Sequence, residues 1–216
     1  MQALSPQEED GLRGIRGVSN PADPKRRSAL RRVAAALIVL GTLLAAAPSA
    51  HASGESDQDH AREYALKGAM LEKFLKYVEW PAEALGEEGA PLLVGVFGKD
   101  PFGASLDKMF QGKVHQDHPV RVVRVTKLEE VAKCAVLFIP RGEMSKLAKI
   151  VSVLRGHNVL LVGEAKGFAT LGGTINFYTE DKKLRFEVNP SQAKRDAIKI
   201  SSSLLKLARI VEDPKK

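Results

Sequence analysis

Three short runs, "PLLVGVFG" (91–98), "CAVLFIP" (134–140) and "NVLLVG" (158–163), are apolar at almost every position. A strand with one wet face alternates apolar and polar residues, whereas a strand covered on both faces does not. Helical spacing fills the intervals. Met144, Leu147, Ile150, Val151 and Leu154 share one helix face that stops at Gly156, and Asp100-Pro101 opens a helix running to about Phe110. Buried strands alternating with helices call for a sheet covered on both sides.

The remaining segments add to that frame. From Arg62 to Val78, the spacing of Tyr64, Leu71, Phe74 and Val78 predicts a helix with one buried face, ended before Pro81. "HPVRVVRVT" alternates and reads as a strand with one covered face. "TINFYT" and "LRFEVN" flank the polar "EDKK" and predict a hairpin. From Pro190 onward the chain reads as a helix, interrupted and recapped at Ser201–Ser203. The fold class is α/β: a three-layer sandwich with a mostly parallel central sheet of about five or six strands and an antiparallel edge hairpin.

The N-terminus reads as a leader. A basic segment (Lys25 to Arg32) precedes an apolar run from Val33 to Ala47, and Ala50-His51-Ala52 has the small-x-small pattern of a cleavage site after Ala52. As an uncleaved helix the run would reach roughly 22 Å, short of the ~30 Å hydrocarbon core. Residues 1–52 are therefore expected to be an extension and signal peptide, with a flexible mature start at 53–62. Without them the net charge of +7 falls to +4, since the leader holds seven Lys/Arg and four Asp/Glu. No dense cationic patch interleaved with aromatics points to nucleic acid, and no later segment is apolar for long enough to anchor the chain in a membrane. The single cysteine, Cys134, cannot form an internal disulfide and opens an apolar run, where a thiol is a small buried hydrophobe or, less simply, a link to another chain.

Chemistry is sparse. "VGEAKGFATLGGTINF" (162–177) places four glycines between two strands but matches neither the P-loop nor the dinucleotide pattern, and it leads into a strand instead of a helix N-terminus. Gly98, Lys99, Gly163 and Phe168 would border a small-ligand crevice at the carboxyl ends of the strands, the rival reading to a protein partner. His115-Gln116-Asp117-His118 lacks helical ligand spacing and a third ligand. Ser201–Ser203 sit in or before a helix and suit capping, not a nucleophile elbow. Glu87-Glu88 and Glu129-Glu130 are neighbours in sequence and point apart. No catalytic residue, metal site or cofactor is expected, and no enzymatic activity.

The C-terminal segment is more telling. Read as one helix, Ala193, Ala197, Ile200, Leu204, Ala208 and Val211 form a seam, and Ile198 and Leu205 start a second about 160° away. The second seam needs either more of its own core or a protein partner.

"EYALKGAMLEKFLKYVEWP", "LLVGVFGKDPFG", "CAVLFIP", "GFATLGGTINF" and "KLRFEVNPSQAKRDAIKISSSLLKLARIV" resemble, in succession, the blocks of the YfiR/HmsC family of secreted bacterial proteins. The resemblance implies one domain over 63–212, with 213–216 as a tail. It also implies a periplasmic, non-enzymatic, dimeric repressor that binds the periplasmic sensor of an inner-membrane diguanylate cyclase, lowering cyclic di-GMP and biofilm formation. Intradomain disulfides of relatives cannot be formed here. The partner surface is expected on the hairpin and the segment after it, at Phe177, Arg185, Glu187, Asn189, Lys194 and Leu205.

Overall fold

The computed structural model describes residues 52–213. Strand β2 (Leu92–Phe97) lies in the middle of an eight-stranded mixed sheet. On one side it pairs in parallel with β4 (His118–Val125), which carries the short antiparallel β3 (Val114–His115). On the other it pairs in parallel with β5 (Val136–Ile139), followed by β6 (Leu160–Gly163) and β7 (Ile175–Glu180). The antiparallel hairpin is β7 with β8 (Lys183–Val188). It is not at the edge, because β10 (Arg209–Ile210) adds in parallel outside β8. A separate two-stranded sheet pairs β1 (Val78–Glu79) with β9 (Lys199–Ile200). The sheet is thus wider than the five or six strands read from sequence. The extra strands are two-residue pairs too short to show a pattern.

Side-chain alternation explains the layers. Leu92, Val94 and Val96 of β2, Val136 and Phe138 of β5, Leu160 and Val162 of β6, and Ile175 and Phe177 of β7 join one core. That core lies under helix α1 (Ala52–Leu75), which buries Leu71, Phe74 and Leu75, and, past the short α2 (Ala82–Leu85), under α3 (Ala104–Phe110), which buries Leu106 and Phe110. Gly68 permits these helices to approach, since a methyl there would lie 2.8 Å from the Met109 sulfur. The alternate positions of β2, β5 and β6, Phe97, Leu137, Ile139 and Leu161, join a second core on the opposite face with Leu147 and Ile150 of α4 (Leu147–Val153). Cys134 lies in this layer with its thiol pushed up to about 11 by burial and, secondarily, by Glu130.

Three elements differ from their patterns. The helix read from Asp100-Pro101 begins only at Ala104, after Gly103 at φ 57°. Helix α1 begins ten residues before Arg62, in a polar stretch with no apolar period to announce it. The basic and apolar leader falls outside the described residues, and Ala52 is the first residue of α1. The C-terminal segment is not one helix. Helix α5 (Pro190–Arg195) ends in a Schellman arrangement: Ile198 N–H donates to Ala193 O and Ala197 N–H to Lys194 O, with Ala197 at φ 51°. A glycine normally marks that position, so an alanine hides the stop. Ser201 then caps α6 (Ser202–Leu205), its hydroxyl oxygen accepting from Leu204 N at 3.4 Å. The two long seams therefore do not exist as helical faces.

Candidate functional site

The sheet reverses its winding between β2 and β5: the chain leaves β2 for β4 on one side and β5 for β6 on the other. Ligands of open α/β sheets commonly bind outside the carboxyl ends of strands at such a point. Here the protein's own side chains fill much of it. Glu164, directly after β6 and buried, accepts from Tyr64 Oη at 2.7 Å, from Arg141 N at 3.0 Å and from Lys67 Nζ. Lys67, also buried, meets Glu63 at 2.5 Å and lies 4.3 Å from the centre of the Tyr64 ring. Burial, then the Glu164 carboxylate it donates to, raises the Tyr64 hydroxyl well above the ordinary phenol range. The result is a charged bolt fastening α1 to the ends of β5 and β6.

The expected crevice residues take structural places. Gly98, at φ 71°, has the end of the Glu143 side chain where a Cβ would stand, so a side chain there would strain the backbone and displace Glu143. Lys99 is exposed beside it. Gly163 and Gly173 flank the ring of the fully buried Phe168, and a Cβ at either would run into that ring. The glycine-rich stretch is therefore a seat for a core phenylalanine. The His115–His118 segment is a tight hairpin turn with Gln116 and Asp117 at positive φ. Gln116 bonds both main-chain groups of Trp80, at 3.2 and 3.3 Å, and His118 Nδ1 lies 2.8 Å from Ala90 O. Burial lowers the His115 ring below its ordinary pKa. Among the described residues no three His, Cys, Asp or Glu side chains gather as metal ligands, and no helix is long and apolar enough to cross a membrane.

The expected partner residues divide into two groups. Phe177 is core, stacked on Phe74 at 5.6 Å. Glu187 is buried, accepting from Asn176 at 3.0 Å and from Arg209 at 2.5 Å, and so pins β10. Asn189 is wholly buried; it caps α5 at Gln192 N (3.0 Å) and donates to Ala169 O and Asp213, each at 2.8 Å. These three serve the fold: Phe177 and Glu187 lie on opposite faces of the hairpin, both covered, and Asn189 caps the helix that follows. Arg185 is exposed and paired with Glu180 at 3.0 Å. Lys194 and Leu205 come together: with Ala193, Ile198, Lys199 and Ile200 they line a shallow, mainly apolar groove of about 360 Å³. Leu207 and Ile210, 74% and 49% exposed, extend the nonpolar surface of the same C-terminal segment. Sequence reading missed the Lys67–Glu164 bolt. Its signal was a lysine three residues after Tyr64 and four before Leu71, on the buried stripe itself.

The described residues thus form a three-layer α/β domain with filled strand ends and an open apolar groove. The YfiR/HmsC-like family model matches residues 64–209. The chain belongs to that family. No curated protein matches it. Among solved structures, a conserved domain protein from Vibrio cholerae O1 biovar El Tor is similar at 11% identity and TM-score 0.45, over 68% of this chain and 59% of that one. The ABC domain in complex with L-Trp from Streptococcus pneumonia is similar at 14% identity and TM-score 0.41, over 56% of this chain and 55% of that one. The chain thus spans little more than half of either. At these scores neither likeness bears on function.

Proposed function

We propose that this protein is a periplasmic, non-enzymatic regulator that binds the periplasmic sensor domain of an inner-membrane diguanylate cyclase and represses it, lowering cyclic di-GMP and biofilm formation. Membership of the YfiR/HmsC-like family over 64–209 carries this reading. Export by a signal peptide cleaved after Ala52, a single domain over 63–212 and a homodimeric state belong to the same proposal. The partner face is the C-terminal groove, where Leu205 and Ile200 supply apolar contact and Lys194 supplies charge, Lys199 being paired with Glu79 at 2.8 Å. Apolar centres with polar rims are the usual anatomy of such contacts.

Repression is a population shift: a protein that binds the inactive sensor more tightly draws the cyclase toward that state. A preference of about 10⁴-fold, ~5.5 kcal/mol, takes a 99:1 active population to 1:99. Two copies facing a dimeric sensor gain part of this by avidity. Lys194 is exposed and belongs to no ion pair among the described residues, so Lys194→Glu should weaken capture of the purified sensor domain about tenfold, with the thermal midpoint unchanged. Capture of equal strength by wild type and variant would remove this face from the proposal.

A further inference from the structure

The sheet has an open edge that the groove does not use. Strand β4 runs from His118 to Val125, but β3 pairs only with His118 and Pro119, and Lys113, just before β3, accepts one further bond from Val120 N at 2.9 Å. That bond shows the main chain of Val120 pointing outward. Val125 O, which accepts from Gly98 N at 2.8 Å, points inward to β2. Since alternate residues of a strand point their N–H and C=O groups to opposite sides, the groups of Val122 and Arg124 face outward. Among the described residues nothing bonds them. This short template is held rigid: the Arg124 guanidinium bonds Asp100 at 2.8 and 3.0 Å, Asp107 at 2.6 and 2.7 Å, and Gly103 O at 2.9 Å.

Two features say what would cover it. No residue from His118 to Lys127 is acidic, and Arg121 and Lys127, both exposed, have no ion-pair partner among the described residues. A second copy of the chain would set these cations against themselves. On the same face of the strand as Arg121 lies Val123, in the wall of a cavity of about 190 Å³ formed with Leu93, Val125 and Cys134, and with Glu130 and Lys133 also lining it. An added strand places its own alternate side chains along that face. We infer that β4 is a docking edge for an extended acidic segment of a partner protein, which adds as a ninth strand. It would place a carboxylate at Arg121 and, two residues away, an apolar side chain in the Val123 cavity. This site is separate from the C-terminal groove and stands or falls independently of it.

The test uses the purified protein and three short blocked peptides: one alternating glutamate and leucine with threonine, its lysine-for-glutamate counterpart, and the first peptide N-methylated at alternate residues. The glutamate peptide should bind, with affinity falling as salt is added, and should protect the Val122 and Arg124 amides from hydrogen exchange. Val122→Pro removes an outward N–H without touching the ladder to β2, a change that edge strands tolerate. It and Arg121→Glu, which leaves the backbone intact, should each weaken binding about tenfold. No binding, equal binding of the lysine or methylated peptide, or binding indifferent to both variants would overturn the inference. So would a homodimer that Val122→Pro dissolves, because a second copy would then occupy the edge.

Discussion

Lys67→Met should cost about 3–5 kcal/mol of folding free energy, because it leaves the buried Glu164 carboxylate without its cation. That is a large part of the roughly 5–15 kcal/mol that holds a domain together. The double change Lys67→Met with Glu164→Gln should recover most of the loss. A glutamine oxygen still accepts from Tyr64 and Arg141 N, and no buried charge remains. Urea unfolding of the wild type, the two single variants and the double variant closes the cycle. If the double variant is as unstable as Lys67→Met alone, the pair is not the unit described above. The bolt also bears on dynamics: with it broken, hydrogen exchange should quicken in the N-terminal half of α1, near Tyr64, before the core strands.

Gly163→Ala is the second large expected effect. The three nearest heavy atoms to an added Cβ all belong to the Phe168 ring, which has no room to retreat between Gly163 and Gly173. Overpacking of this kind costs about 1–3 kcal/mol or more. Phe168→Ala alone should cost about 3–5 kcal/mol, since the ring is completely buried in the second core. The diagnostic is non-additivity: in the Phe168→Ala background, Gly163→Ala should be close to neutral. A full and additive penalty in the double variant would mean that the glycine answers to backbone geometry and not to the ring.

These expectations also mark how far the sequence could be read. The continuous apolar runs at 91–98, 134–140 and 158–163 became β2, β5 and β6, since only strands buried on both faces are apolar throughout. The turn at Asp181-Lys182 was legible in its polar residues, and both adopt positive φ. The C-terminal break was not legible, because Ala197 takes a left-handed conformation usually left to glycine and keeps the helical period running across a helix end. Which of the expected partner residues are exposed was hard to read for a related reason. Alternation puts Phe177 and Glu187 on opposite faces of the hairpin, and both faces are covered; the Arg209 of β10 that meets Glu187 comes from a two-residue strand with no pattern of its own. Lys194 and Leu205 do meet on one surface, through a helix end and a cap instead of the helical seam their spacing suggested. The Lys67–Glu164 pair joins residues 97 positions apart, and nothing local connects them.

The central claim is that an apolar, lysine-edged surface restrains a cyclase. It is tested most directly by measuring cyclic di-GMP synthesis by the membrane-reconstituted cyclase as the purified protein is added on the sensor side. Synthesis should fall to a small residue with wild type and stay high with the doubly altered Lys194→Glu, Leu205→Glu protein. Output indifferent to the wild-type protein at concentrations where it binds the sensor would contradict the account.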